Sequence, residues 1–257
     1  MSKQYNLLRM QMTNPLDLID IHCHVLPGVD DGARNMEESL QLLKEAYRQG
    51  VRTVIATPHY SRRAQDVSRQ SVQRSICEEL AGLAREQIDP EFEVFFGQEL
   101  FYHEELAERL KQGFGWTMAD SGYVLVEFGY GLPYEMIRRG LRSLSDAGYM
   151  PILAHIERYP SLRQDGCVDE LRHFGVCLQM NYDSLEGSFL NKDVRWCRKM
   201  VKDGMIDVLA TDMHRIDTRP PAIDGPMKWL VNHVSIDKIR IMCYENPGKI
   251  IRNHSVH

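Results

Sequence analysis

At 257 residues, with 43% of them hydrophobic, the chain has material for one large domain with a sizeable core. A formal charge of −5 with no compensating basic face argues against a general nucleic-acid binder. That balance shifts if the acids hold metals, since three divalent ions would bring it to about +1. The six cysteines show no CxxC and no paired spacing, which points to reduced thiols in a cytoplasmic protein. No apolar run is long enough to span a membrane. The opening stretch, MSKQYNLLRMQMTNPLD, has neither a continuous apolar region nor a small-residue cleavage site. Residues 1–17 read as a polar extension without assigned function, and 18–257 as one domain.

Leu18-Ile19-Asp20-Ile21 is a short apolar strand interrupted by one acid, followed by His22-Cys23-His24. In extended backbone, residues two apart point the same way, so both imidazoles can reach one ion while Cys23 faces the other side. Leu26 to Gly32 is a turn-rich loop carrying Asp30 and Asp31. Asn35 is a candidate N-cap with Glu38 three residues on, and Met36, Leu40, Leu43 and Tyr47 keep helical spacing up to Gly50. The β-branched run Val51 to Thr57 forms a second strand, closed by Pro58-His59. A helix over 70–87 leads to a strand over 92–96, closed by Gly97-Gln98-Glu99. A short helix around 103–112 precedes the strand Tyr123 to Val126, which ends at Glu127. Helix 134–147 stops at Gly148 and leads to Pro151–Ala154, ending at His155. A helix near 167–174 precedes the strand Val176 to Met180, ending at Asn181. Helix 191–203 precedes Ile206 to Ala210, ending at Thr211-Asp212-Met213-His214, and 223–252 reads as one or two helices and a tail.

Seven strands alternating with helices give a parallel sheet with crossover helices. Six of the seven end in His, Glu or Asp. In a closed barrel those ends meet at one mouth, whereas an open sheet strings them along a line too long for one site. The expected fold is α/β, a TIM-like (β/α)7 barrel with its chemistry at the C-terminal face.

The candidate ligands are His22, His24, Asp31, His59, Glu99, Glu127, His155, Asp212 and His214. Imidazole and carboxylate without thiolate favours Mn2+, Zn2+ or Fe2+, and so many ligands suit two or three ions sharing a bridging carboxylate. Singly, a histidine after a strand is more often a capped loop residue than a ligand. Glu127 follows four apolar residues, however, and a buried unpaired carboxylate costs several kcal/mol. Arg158 and Arg219 each follow a ligand strand closely, and guanidinium suits bidentate phosphate recognition.

His22-x-His24, Asp30-Asp31-Gly32, Thr57-Pro58-His59, Gly97-Gln98-Glu99, Leu125-Val126-Glu127-Phe128, Ala154-His155-Ile156-Glu157-Arg158-Tyr159 and Asp212-Met213-His214 together resemble the polymerase-and-histidinol-phosphatase (PHP) superfamily. The HIERY and TDMH stretches with Arg219-Pro220-Pro221 are similar to its bacterial capsule-associated, metal-dependent protein-tyrosine phosphatases. The resemblance runs from about residue 18 to 252 and implies a distorted barrel of the PHP fold with a trinuclear, usually manganese, centre. The substrate it implies is phosphotyrosine on the cytoplasmic tail of an exopolysaccharide-assembly tyrosine kinase. Carried over by motif, His22, His24, Glu99 and Asp212 would hold one ion, and Asp31, His59 and His214 a second. Bridging Glu99, with Glu127 and His155, would hold the third, and Asp30 could replace Asp31. Arg158 and Arg219 would bind phosphate. The chain departs from the pattern in its N-terminal extension and in Arg215.

The expected chemistry is in-line attack on phosphorus by a hydroxide bridging two ions, with ions and arginines stabilising the equatorial oxygens. A phenolate, with a conjugate-acid pKa near 10, leaves without a strong general acid. Cysteine-phosphatase chemistry is disfavoured, because no cysteine has an arginine six residues on. The main alternative is a small-molecule phosphoesterase of the same superfamily, such as a histidinol-phosphate phosphatase. A nuclease, a non-catalytic barrel and an amidohydrolase are the other readings, and the last would want a lysine that no strand end offers.

Overall fold

The computed structural model describes residues 17–60 and 67–257, so residues 1–16 of the expected extension lie outside the described residues. The strands are β1 (Leu18–Cys23), β2 (Val51–Ala56), β3 (His59–Tyr60), β4 (Glu93–Phe96), β5 (Glu99–Phe101), β6 (Tyr123–Glu127), β7 (Met150–Leu153), β8 (Cys177–Asn181) and β9 (Val208–Ala210). Every pairing between them is parallel. The helices are α1 (Met36–Arg48), α2 (Val67–Gln87), α3 (Leu106–Lys111), α4 (Tyr134–Asp146), α5 (Cys167–His173), α6 (Lys192–Lys202), α7 (Asp224–His233), α8 (Ile236–Arg240) and α9 (Asn246–Ile251).

Two of the seven expected strands are each followed, after a break, by a short extra strand, and these breaks divide the sheet. Pro58, with no N–H to give a ladder, separates β2 from β3. Gly97 and Gln98 separate β4 from β5, and a Cβ on Gly97 would lie 3.0 Å from the Met118 sulfur and 3.1 Å from Ile55. The strands therefore run in the orders β1-β2-β4 and β3-β5-β6-β7-β8-β9. Bonds from Gly97 N to Ala56 O at 2.9 Å and Glu99 N to Pro58 O at 3.2 Å carry the pairing across the breaks. On the other side Asp212 N donates to His22 O at 2.7 Å and His24 N to Met213 O at 2.8 Å, joining the first strand to the last.

Inward positions change from apolar to polar along β6 and β8 and beyond β9. They read Tyr123, Leu125, Glu127 on β6; Cys177, Gln179, Asn181 on β8; and Val208, Ala210 and then Asp212 beyond β9. Ile19, Ile21, Ile55, Leu125, Ile152 and Val208 fill the lower barrel, and a second, larger core lies between sheet and helices. The polar ends are left to form the mouth.

Asn35 caps α1 as expected, accepting from Glu38 N at 3.0 Å. The Glu38 carboxylate reaches past the cap instead, to Arg34 N at 2.8 Å and to the Arg34 guanidinium. The stretch 223–252 holds three helices where one or two were expected. Val234 goes extended, Ser235 caps α8, and a π-helical stretch over Ile241–Glu245 links it to α9.

Helix α4 lies against stacked rings of Tyr102 and Phe128, whose centroids are 4.6 Å apart. A Cβ on Gly140 would sit 2.7 Å from Phe128 and 2.8 Å from Tyr102. Gly140→Ala is expected to cost about 1–3 kcal/mol in denaturant unfolding. Gly82→Ala, at an exposed position of α2 with nothing within 4 Å, should instead stabilise by about 0.5–1 kcal/mol.

Candidate active site

His22 and His24 are both fully buried at the C-terminal end of β1. His22 Nδ1–H donates to Gln179 Oε1 at 3.1 Å, and His24 Nδ1–H to Asp30 Oδ2 at 2.8 Å. Oxygen acceptors place the proton on Nδ1, so each Nε2 turns its lone pair inward. The two Nε2 atoms are 3.4 Å apart. Facing lone pairs repel unless a proton or a cation lies between them. Cys23 faces away as expected, its thiol donating to Ile55 O at 3.4 Å in the core.

Carboxylates surround those lone pairs. Glu99, buried on β5, is 3.3 Å from each Nε2, and Asp212 Oδ1 is 3.4 Å from each. His155 Nε2 lies 2.8 Å from Glu99 and 3.7 Å from Glu127, while its buried Nδ1 has no partner among the described residues. His59 Nδ1 is 3.1 Å from Glu99 and 3.5 Å from Glu127. Asp31, 67% exposed at its side chain, faces His59 at 3.5 Å and His214 at 3.6 Å. His214 gives its Nδ1–H to Asp212 O at 2.9 Å and stacks on His24 with centroids 3.9 Å apart. His155 (φ 34°) and Asp212 (φ 51°) sit in the left-handed region, a strained backbone of the kind found at functional sites.

Asp30 and Asp31 thus do different things. Both Asp30 oxygens are engaged, by His24 Nδ1, His59 N and Gly32 N at 2.8–2.9 Å. Asp31 is left with its carboxylate directed at two imidazoles. Three sets of donors lie mutually within 4.8 Å: His22, His24 and Asp212; His24, Asp31, His59 and His214; and His59, Glu99 and Glu127. All nine residues singled out in the sequence converge, with His155 joining through Glu99.

The local charges favour a cation at the centre. Burial pushes His24 down, but Asp212, Asp30 and Glu99 outweigh it and hold the imidazole well above its ordinary value. Burial pushes Glu99 up, and the imidazoles of His22, His155 and His24 hold it well below the carboxylate range. Burial, then neighbouring Glu99, pushes Glu127 up to about 7. Buried acids round inward-facing imidazole nitrogens are a donor set that fits divalent ions.

Arg158 and Arg219 both reach this cluster through Asp212. Arg158 Nη2 donates to Asp212 Oδ2 at 2.9 Å, and Arg219 Nη2 donates to the same oxygen. Asn181 Nδ2 adds a third donor at 3.0 Å. Arg158 Nη1 also donates to the Tyr130 hydroxyl at 3.2 Å.

Sequence reasoning missed the supporting residues. Gln179 Oε1 takes both His22 Nδ1 and His155 N (2.8 Å), and its Nε2 donates to Asn181. Asp20, buried, accepts from His22 N at 3.2 Å and from Thr211 N at 3.0 Å, and burial pushes it up to about 6 despite those bonds. The available signal was the alternation on β8, which puts Gln179 and Asn181 on the inward face.

A parallel, distorted barrel with clustered candidate metal ligands at its C-terminal mouth is the architecture of metal-dependent phosphatases. A solved structure from work on YwqE of Bacillus subtilis and CpsB of Streptococcus pneumoniae, metal-dependent tyrosine phosphatases, superposes with a TM-score of 0.83. It is 28% identical, covering 93% of this chain and 96% of that one. The tyrosine-protein phosphatase CpsB of Streptococcus pneumoniae is 31% identical over 245 residues, 93% of this chain and 100% of the relative. A phosphotriesterase homology protein from Escherichia coli, 13% identical over 92% of this chain and 99% of its own, shares the fold alone at a TM-score of 0.57. The family model for capsular polysaccharide synthesis, CpsB/CapC, matches residues 18–252, and the chain belongs to that family.

The loop between His24 and Gly32 is held tightly: a Cβ on Gly32 would lie 2.1 Å from His24 O and 2.7 Å from His24 Cβ. Gly32→Ala is therefore expected to displace His24, lowering thermal stability and the amount of divalent ion retained after gel filtration. Unchanged retention would mean that the loop relaxes without moving the imidazole.

Proposed function

We infer that this chain is a metal-dependent tyrosine-protein phosphatase that hydrolyses phosphotyrosine on a tyrosine kinase of capsule or exopolysaccharide assembly, in the cytoplasm. The observation that carries the reading is the convergence of five imidazoles, four carboxylates and two arginines on one mouth, in a chain akin to tyrosine phosphatases.

His22, His24, Asp212 and Glu99 would hold one ion, Asp31, His59 and His214 a second, and Glu99, Glu127 and His155 a third. Oxygen and imidazole donors without thiolate suit Mn2+, with Zn2+ or Fe2+ as alternatives and two or three ions in all. Bound there, the ions supply Lewis-acid charge and activated water at neutral pH. The chain's own groups do the rest. Asp30 and Gln179 fix the tautomers of His24 and His22, holding each Nε2 inward. Arg158 and Arg219 bind the phosphoryl oxygens, and Asp212 positions both guanidinium groups at the rim. The tyrosine phenolate departs without a strong general acid.

Metal-stripped protein is expected to release no phosphate from a phosphotyrosine peptide, and added Mn2+ to restore release. His155→Ala should abolish it, and Arg158→Ala should lower kcat by about 100- to 1000-fold. Faster turnover of histidinol phosphate than of the peptide would move the assignment to the small-molecule phosphoesterases. No turnover of either substrate by the metal-loaded protein would refute the enzyme reading.

Gln179→Leu removes a side-chain acceptor while keeping bulk on β8. Its affinity for Mn2+ should fall about 10- to 100-fold, read by competition with a chelating dye, because His22 loses its Nδ1 partner.

A further inference from the structure

Cations and imidazoles at the mouth treat any phosphate monoester alike, so preference for an aromatic ester must come from a group that senses the ring. In an aryl phosphate the ring is one oxygen away from phosphorus, so that group has to stand next to the phosphate-binding arginines. Tyr130 stands there. It lies three residues beyond Glu127, between Gly129 and Gly131, in the loop that leaves β6 at the mouth. Its hydroxyl is held by Arg158 Nη1 at 3.2 Å, and its ring is 5.9 Å from the Arg158 guanidinium. The His155 ring meets it edge-on at 6.0 Å, and Tyr159 packs at 6.0 Å. The ring is thus anchored at its polar end and along one side, yet the residue is 47% exposed.

The other aromatic groups near the mouth do not offer the same combination. Tyr159 is fully buried, with its hydroxyl taken by Phe128 N at 3.0 Å. Tyr102 is stacked on Phe128. Phe101 is half-exposed and pairs in register with Glu127, so it borders the same part of the mouth, but among the described residues its ring lies under neither Arg158 nor Arg219, as that of Tyr130 does. Tyr130 alone of these couples an open aromatic surface to a phosphate-binding guanidinium.

We propose that Tyr130 is the platform on which the ring of the phosphotyrosine substrate stacks, and that it sets the preference of the site for aryl over alkyl phosphate monoesters. This rests on the phosphatase reading given above. Offset or edge-to-face aromatic pairs contribute enough to favour the aryl ester by roughly three- to tenfold. The chain beside the ring is open at Gly131, where a Cβ would meet nothing within 4 Å. Because Arg158 orients the ring through the hydroxyl, Tyr130 also has a separable second effect, on how firmly that guanidinium is held.

The test uses the metal-loaded protein and two unreactive probes, phenylphosphonate and ethylphosphonate, with affinities measured by calorimetry. Wild type is expected to bind the phenyl compound roughly three- to tenfold more tightly. Tyr130→Ala should bring that ratio close to one, while Tyr130→Phe, which keeps the ring and loses only the bond to Arg158, should retain it. A ratio unchanged in Tyr130→Ala, or lost equally in Tyr130→Phe, overturns the proposal. So does a wild-type ratio of one. Phosphotyrosine turnover is followed in parallel: its absence with the binding ratio intact strikes at the phosphatase reading, and its presence with no binding preference strikes at Tyr130 alone.

Discussion

The backbone amide of Asp212 donates to the His22 carbonyl at 2.7 Å, and that bond sets the distance between the first strand and the last. From there one Asp212 oxygen faces both Nε2 atoms of His22 and His24, while the other accepts from Arg158, Arg219 and Asn181. A carboxylate so buried costs several kcal/mol unless its charge is matched. Here it is matched on both sides, and the match ties the histidine half of the mouth to the arginine half. The left-handed backbone at Asp212 is tolerated because those contacts over-determine it.

The same logic governs the barrel interior. Low positions are apolar and pack as an ordinary core. High positions on the same faces carry Glu127, Gln179, Asn181 and Asp212, whose burial is favourable only in company. None of these groups is stable in the mouth by itself. The centre is a mutual arrangement, in which imidazoles are held by Asp30 and Gln179 and acids by imidazoles and guanidinium groups.

Much of this was legible in the chain. Strand after strand ended in His22, His59, Glu99, Glu127, His155 or Asp212, and alternation with helices required parallel pairing, so the barrel and the gathering of these side chains at its mouth followed. What stayed hidden depends on register and on contacts across the chain. The choice between Asp30 and Asp31 turns on which carboxylate meets His24 Nδ1, a matter of loop path and not of composition. Gln179 acts on His22 from 157 residues away, and nothing local in a β8 sequence marks an amide as an orienting group. The breaks at Pro58 and at Gly97-Gln98 could be placed, but the two short strands that resume after them, β3 and β5, could not.

The seam between β1 and the segment after β9 has a consequence for the making of the protein. His22 and His24 leave the ribosome early, and Asp212 and His214 follow nearly two hundred residues later. Until that last segment emerges, the early histidines have no seam partner and the set of candidate ligands is incomplete. In the reading proposed above, ion capture would therefore come late in synthesis, since a chain released short of that segment lacks Asp212 and His214. Contacts of such long sequence separation are slow to form. On that reading, loading with metal would follow the closing of the barrel rather than precede it.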